Sequence, residues 1–148
     1  MSIRWEKKEW EQLTKDQLYD ILHLRSEVFV VEQTCVYQDI DGKDAVATHV
    51  LGYKGNELLA YSRVFKNTTP CVIGRVLVQE NHRKKSIGKK LMIESINEIP
   101  KQKEIQISAQ KHLKKFYVSL GFSQSGEGYL EDGIPHVPMA LSPRLSID

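Results

Sequence analysis

Val72–Asn97 reads V-I-G-R-V-L-V-Q-E-N-H-R-K-K-S-I-G-K-K-L-M-I-E-S-I-N, and its two halves obey different periods. Val72, Ile73, Val76, Leu77 and Val78 make the apolar, mostly β-branched run of a strand covered on both faces. Gln79 to Lys85 break that pattern, and Ile87, Leu91, Met92, Ser95 and Ile96 then recur at helical spacing. The stretch is therefore predicted as a buried strand, a short polar loop and a helix. A helix N-terminus presents unpaired N–H groups and the positive end of the dipole, which suits an anion. Arg83, Lys84, Lys85, Lys89 and Lys90 add formal charge to this one. A phosphate-bearing ligand is expected where strand passes to helix.

Upstream, Ile3 to Trp10 alternates loosely and suits an edge strand. Thr14-Lys15-Asp16-Gln17 has the form of a capping box. Leu18, Ile21, Leu22, Val28 and Phe29 follow at helical spacing, which predicts a helix from about Lys15 to Val30, its apolar stripe interrupted by Arg25. Gln33 to Ala45 is loop-like and rich in Asp. Thr48 to Tyr53 and Leu58 to Val64 flank Lys54-Gly55-Asn56-Glu57 as a hairpin. Asn67-Thr68-Thr69-Pro70 turns the chain into the organising strand.

Downstream, Pro100 stops the second helix. Glu104 to Ala109 reads as a strand with Ile105 and Ile107 on one face. Gln110 to Leu120 reads as a short helix carrying Leu113, Phe116, Tyr117 and Leu120 on one side, closed by Gly121. Phe122 to Ser125 and Val137 to Leu141 are predicted to close the sheet around a loop from Gly128 to Pro135. The order β-α-β-β-β-α-β-α-β-(β) with a mixed sheet gives an α+β fold, also classed as an α/β sandwich.

At 148 residues the chain fits one domain, residues 1–148. Hydrophobic residues at 41% and charged ones at 27% are ordinary for a globular protein, and a net charge of +2 is too small for a general nucleic-acid binder. No apolar run reaches the ~20 residues of a membrane span, and the first residues lack the apolar core of a secretory signal, so a cytoplasmic location is expected. Cys35 and Cys71 have neither disulfide-framework nor zinc-ligand spacing, so no metal is expected.

These residues resemble the GCN5-related N-acetyltransferase (GNAT) superfamily over nearly the whole chain. Its signature R/Q-x-x-G-x-G/A is matched by Arg83-Lys84-Lys85-Ser86-Ile87-Gly88, with Ser86 where the first glycine is usual. Phe116-Tyr117-x-x-x-Gly121-Phe122 matches a second superfamily feature. The segments from Arg25 to Gln33, Tyr37 with Asp39 to Asp44, and Tyr129 to His136 are similar to its ElaA-like branch. The resemblance implies a mixed, mostly antiparallel central sheet with helices on both faces, and acetyl-CoA as co-substrate. It implies that the backbone of Leu77 and Val78 pairs with the pantetheine arm. The amides of Arg83, Lys84, Lys85, Ser86, Ile87, Gly88 and Lys89 would surround the pyrophosphate.

Acyl transfer to an amine expels a thiolate, and Tyr117 is the expected general acid. For the base, Glu32 is the first choice, with an ordered water, His49, Asp132 and His136 also open. Arg63 and Arg75 come from the strands themselves: with a turn centred near Thr69 they would face each other across antiparallel strands. Two opposed guanidinium groups are unfavourable by a few tenths to ~1 kcal/mol unless an anion lies between them. A buried acid such as Glu32 or Asp39 would serve, as would an acidic group of the acceptor. His49, Arg63, Arg75, Asp132 and His136 are accordingly the candidate acceptor-binding residues. The expected function is transfer of acetyl to a primary amine by direct attack. The alternatives are a regulatory domain that binds acyl-CoA without turnover and a protein N-acetyltransferase. The expected partners are a small-molecule amine and, as an option, a second copy of the chain, with no nucleic acid and no membrane.

Overall fold

The computed structural model describes residues 2–83 and 86–144, so Lys84 and Lys85 of the basic run lie outside the described residues. Eight strands, β1 (Arg4–Lys8), β2 (Thr48–Lys54), β3 (Glu57–Phe65), β4 (Cys71–Val78), β5 (Ile105–Gln110), β6 (Ser123–Gln124), β7 (Tyr129–Glu131) and β8 (Ile134–Leu141), form one sheet. Its order is β1-β2-β3-β4-β5-β8-β6, with β7 pairing β8 beside that path. Neighbours run antiparallel except β4 and β5, which are parallel. Parallel neighbours need a crossover, and α2 (Ile87–Ile96) supplies it.

The apolar residues of α2 recur at helical spacing, so Ile87, Leu91 and Met92 fall on one face and enter the larger core with Ile73, Ile105, Ile107 and Met139. Tyr117 of α3 (Lys114–Ser119) joins the same core. On the opposite face, Ile21 and Leu24 of α1 (Lys15–Arg25) pack with Leu51, Tyr61 and Leu77. Alternation along each strand divides the side chains between these two layers. Helices therefore cover both faces of a mostly antiparallel sheet.

The capping box forms as read. Gln17 N donates to Thr14 Oγ1 at 3.0 Å, and Thr14 N donates to Gln17 Oε1 at 3.1 Å. The helix expected from Gln110 to Leu120 begins only after β5, as a 3-10 turn, Lys111–Leu113, that leads into α3, and two further elements differ from expectation. The first helix is α-helical only to Arg25 and continues as a wider π-helical segment, Ser26–Glu32. The loop expected from Gly128 to Pro135 contains the β7–β8 hairpin, turned by Asp132 and Gly133 at φ +51° and +80°. Both central residues have positive φ, as a tight two-residue hairpin requires.

The edge strand is fixed by a close contact. A Cβ on Gly52 of β2 would lie 2.6 Å from Cζ3 of Trp5, so the indole lies flat on bare backbone. Gly52→Ala should cost about 1–3 kcal/mol by overpacking, or roughly 3–10 °C in thermal midpoint. The loss should shrink in a Trp5→Leu background, and a full-sized loss there would show that Trp5 is not the cause.

Candidate active site

The geometry of the site starts with one extra residue in β4. Tyr61 pairs with Leu77 and Arg63 with Gly74, so Arg75 and Val76 together oppose Ser62 in a β-bulge. The side-chain pattern records the same slip. Cys71 and Ile73 enter the α2-side core, then Val76 and Val78 do, while Leu77 faces α1. Arg75 takes φ +50° at the bulge. The expected face-to-face pairing of Arg63 with Arg75 is replaced by Arg63 against Gly74, because the turn sets the strands one residue off, in the register Phe65–Val72 and Val64–Ile73, and the bulge restores the expected register only beyond it, at Tyr61–Leu77.

Past the first residues of β4, the sheet opens. β4 and β5 pair through Cys71–Ile105 and Val72–Gln106, and their ladder goes no further along β4. On the other side β4 stays with β3 to its end, where Gln79 N donates to Leu59 O at 2.7 Å. Ladder groups alternate sides along a strand. Val78 N–H and C=O, and Val76 with them, therefore face the opening, whereas the peptide groups of Leu77 belong to the β3 ladder.

The N-terminus of α2 meets the same opening. Ser86, its N-cap, adopts φ +62° and makes no side-chain capping bond, so the serine takes the left-handed conformation usual for glycine. A Cβ on Gly88 would lie 3.7 Å from Phe116 Cζ and 3.9 Å from Val78 Cγ2, which is ordinary contact. Packing therefore does not demand glycine at 88. Without a side chain, the backbone at Gly88 is left bare on this turn. Lys89 is exposed on the first turn.

Arg83 bridges this junction to the end of the π-helical segment. Its Nε donates to Val78 O at 2.9 Å, and Nη1 and Nη2 donate to Glu32 at 2.7 and 3.0 Å. Both oxygens of Glu32, the expected base, are thus engaged. Tyr117 lies in the core, edge-on to Phe116 at 5.1 Å and to Phe122 at 6.0 Å between ring centres. Burial pushes its hydroxyl up to about 12, so it is protonated at neutral pH and able to donate.

Arg25, read only as a break in an apolar stripe, is wholly buried and anchors an ion network. It donates to Asp39 Oδ2 at 3.0 Å, to Asp39 O at 3.0 Å and to Asp44 Oδ1 at 2.7 Å. Arg63 donates to Asp44 Oδ1 at 3.0 Å and to both oxygens of Asp41. Arg75 donates to Asp39 Oδ1 at 2.8 Å and lies under the Tyr37 ring, 5.5 Å from its centre. The Asp-rich loop thus supplies the anions that the two arginines call for, and Asp39 is one of the acids anticipated. Glu32 lies elsewhere, with Arg83. The Arg63 hydrogen bonds hold the Asp41 carboxyl far below the usual carboxylate range. At Asp44 burial, the largest single influence, acts upward, but the hydrogen bonds and charges of Arg25 and Arg63 together outweigh it and the group is lowered.

His49 lies beneath this network, wholly buried. Its Nε2 donates to Asp44 O at 2.9 Å, and its Nδ1 accepts from the Tyr61 hydroxyl at 2.6 Å, which fixes the neutral tautomer. His136 and Asp132 belong to the β7–β8 hairpin. His136 Nδ1 donates to Ile134 O at 2.7 Å, its Nε2 faces Glu131 Oε2 at 3.4 Å, and its ring stacks on Tyr129. The Tyr129 hydroxyl bonds Ser108 Oγ of β5. Cys35 Sγ donates to Asp132 O at 3.4 Å, tying the hairpin to the end of the π-helical segment. The structure therefore gathers Arg63, Arg75 and His49 in one network, Glu32 with Arg83 in a second place, and Asp132 with His136 in a third. Among the described residues there is no three-member group of His, Cys, Asp or Glu able to hold a metal, and no helix long and apolar enough to cross a membrane.

An opened β4–β5 pair facing a glycine-bearing helix N-terminus is the arrangement of an acetyltransferase of the GNAT class. The family model described as "Acetyltransferase (GNAT) domain" matches residues 10–143, and the chain belongs to that family. It is 45% identical to protein ElaA of Escherichia coli (strain K12) over 146 residues, which cover 93% of this chain and 95% of that protein. The crystal structure of E. coli ElaA superposes with a TM-score of 0.90 at 43% identity, covering 95% of this chain and all of the other. The crystal structure of an acyl-CoA N-acyltransferase from Pseudomonas aeruginosa gives a TM-score of 0.89 at 38% identity with the same coverage. An aminoglycoside 6'-N-acetyltransferase complexed with coenzyme A shares the fold at a TM-score of 0.70 and 15% identity, covering 97% of this chain and 99% of that one.

The buried histidine sets an acid limit to stability. Burial holds His49 below its usual 6.5, so below that pH the unfolded chain takes up a proton that the native state refuses. Stability should fall as the pH drops from about 6.5 toward 5, above the range in which Asp41 and Asp44 are lost. His49→Gln, whose amide can bond the same two partners, should flatten that slope in chemical denaturation at stepped pH. An unchanged slope would assign the acid sensitivity to another group.

Proposed function

We propose that this chain is an acyl-CoA-dependent N-acyltransferase that moves acetyl from acetyl-CoA to a primary amine by direct attack. The carrying observation is the opening of β4 from β5. Val76 and Val78 peptide groups that β5 does not take, the Val78 carbonyl bonded by the Arg83 side chain, lie beside the bare backbone at Gly88 on the first turn of α2. Val78 would add the pantetheine amides as an extra strand, in the manner of β-augmentation. The first-turn N–H groups of α2 would take the pyrophosphate.

In the reaction, the amine nitrogen attacks the thioester carbonyl and the C–S bond breaks. The nitrogen loses one proton to a base, and the departing thiolate gains one. Tyr117 is protonated at neutral pH and is the donor to that thiolate. Glu32, once its oxygens leave Arg83, or an ordered water takes the proton from the amine. Arg63 and Arg75 already meet Asp39, Asp41 and Asp44, so an acidic group on the acceptor is not required to balance them. The competing reading, binding of acyl-CoA without turnover, predicts that no amine in a panel releases free CoA thiol.

Gly88→Ala separates binding from folding. A methyl fits beside Phe116 and Val78 and favours the helix by up to about 1 kcal/mol, so the thermal midpoint should hold or rise while CoA binding weakens. Equal CoA affinity in this variant would count against the site. Tyr117→Phe should lower kcat by about a hundredfold with CoA affinity kept. A kcat within twofold of wild type would remove Tyr117 from the chemistry.

A further inference from the structure

Arg83 is the one described cation that spans the opening and the π-helical segment, and its three bonds run in conflicting directions. Its Nε caps Val78 O, a carbonyl that β-augmentation by a pantetheine amide would need. Its two Nη atoms hold Glu32 in a forked ion pair. The pair lies at the surface, with the Arg83 and Glu32 side chains 38% and 28% exposed, and ion pairs so placed exchange partners at little expense. Glu32 also lines a cleft of about 550 Å³ together with four further carboxylates, Asp20, Glu27, Glu57 and Glu80. Glu32 thus holds the guanidinium on the cleft side of the junction. A diphosphate at that terminus would offer the opposite pull, since a guanidinium binds phosphate in the same forked fashion.

We propose that Arg83 is a cofactor-operated latch. Without ligand it closes the Val78 carbonyl and sequesters Glu32. The pyrophosphate of an acyl-CoA draws it off both, opening the strand edge to pantetheine and freeing the Glu32 carboxylate together. The latch rests on the acyl-CoA reading above. It makes Arg83 a positioning residue with two opposed effects, unfavourable to the pantetheine arm and favourable to the phosphates.

Two probes, coenzyme A and pantetheine, which lacks every phosphate, resolve those effects by calorimetry and by NMR titration of the full chain. Glu32→Gln removes the competing anion and should tighten coenzyme A by about fivefold, the equivalent of about 1 kcal/mol. Arg83→Ala should weaken coenzyme A by about tenfold or more and tighten pantetheine. Arg83→Gln, closer in size, repeats the comparison, and thermal melts confirm that each variant folds. Opposite signs for the two probes establish the latch. Weakening of both probes by Arg83→Ala, or weaker coenzyme A binding in Glu32→Gln, would show a static contact and overturn it. A wild-type chain that binds neither probe would instead remove the acyl-CoA reading itself.

Discussion

Arg75 stands at φ +50°, a conformation that disfavours any residue with a Cβ by roughly 1–2 kcal/mol. What holds it there is the pair of bonds from its guanidinium to Asp39 Oδ1 and to Asp39 O at 2.9 Å. Asp39 is in turn clamped from the other side by Arg25. The bulge, the Asp-rich loop and the end of α1 therefore depend on one another. Burying ion pairs gives little net stability, yet removing one partner of such a pair costs about 3–5 kcal/mol. Three arginines and three aspartates that balance each other act mainly to fix geometry. The geometry they fix is the extra residue in β4, which sits within the stretch of β4 that has parted from β5.

How much of this could be read in advance follows from the range of each interaction. The strand, loop and helix of Val72–Asn97 were legible because their periods are local. So were the Thr14–Gln17 box and the stop at Gly121, which takes φ +100°. The bulge was not, because C-V-I-G-R-V-L-V carries no mark of which residue is extra. An arginine is also a poor signal for a left-handed position. Arg25 was seen only as an interruption, since its partners Asp39 and Asp44 stand 14 and 19 residues away. The β7–β8 hairpin had a local signal, Asp132-Gly133, that the expected loop passed over because its flanks do not alternate.

The candidate site divides along the same line. Gly88 and the helix N-terminus were placed by a short motif, and Ser86 shows that the motif's conformation survives without its glycine. Arg83 was read as one more cation for the phosphates. Its partner Glu32 lies 51 residues earlier in the chain, and no spacing rule links them. His49, a candidate acceptor-binding residue, lies under the Arg63–Asp44 pair with both ring nitrogens hydrogen-bonded within the protein.

The positions of the two thiols bear on how the acyl group would travel. Cys71 opens β4, and its Sγ donates to the carbonyls of Lys66 and Thr68. Val78 is seven residues further along the strand, roughly 20 Å at the rise of an extended chain. An acyl group held beside Val78 is out of reach of that sulfur. Cys35 is buried, and its Sγ donates to the Asp132 carbonyl of the β7–β8 turn, with no histidine or cation hydrogen-bonded to it among the described residues. A nucleophilic cysteine needs an activating neighbour and an exposed sulfur. Neither thiol has both, whereas an amine entering the opening needs only a proton acceptor and a donor for the leaving sulfur. Under the proposed acyl-CoA reading, the placement of the two thiols is the reason a single direct transfer is proposed rather than a two-step route through the enzyme.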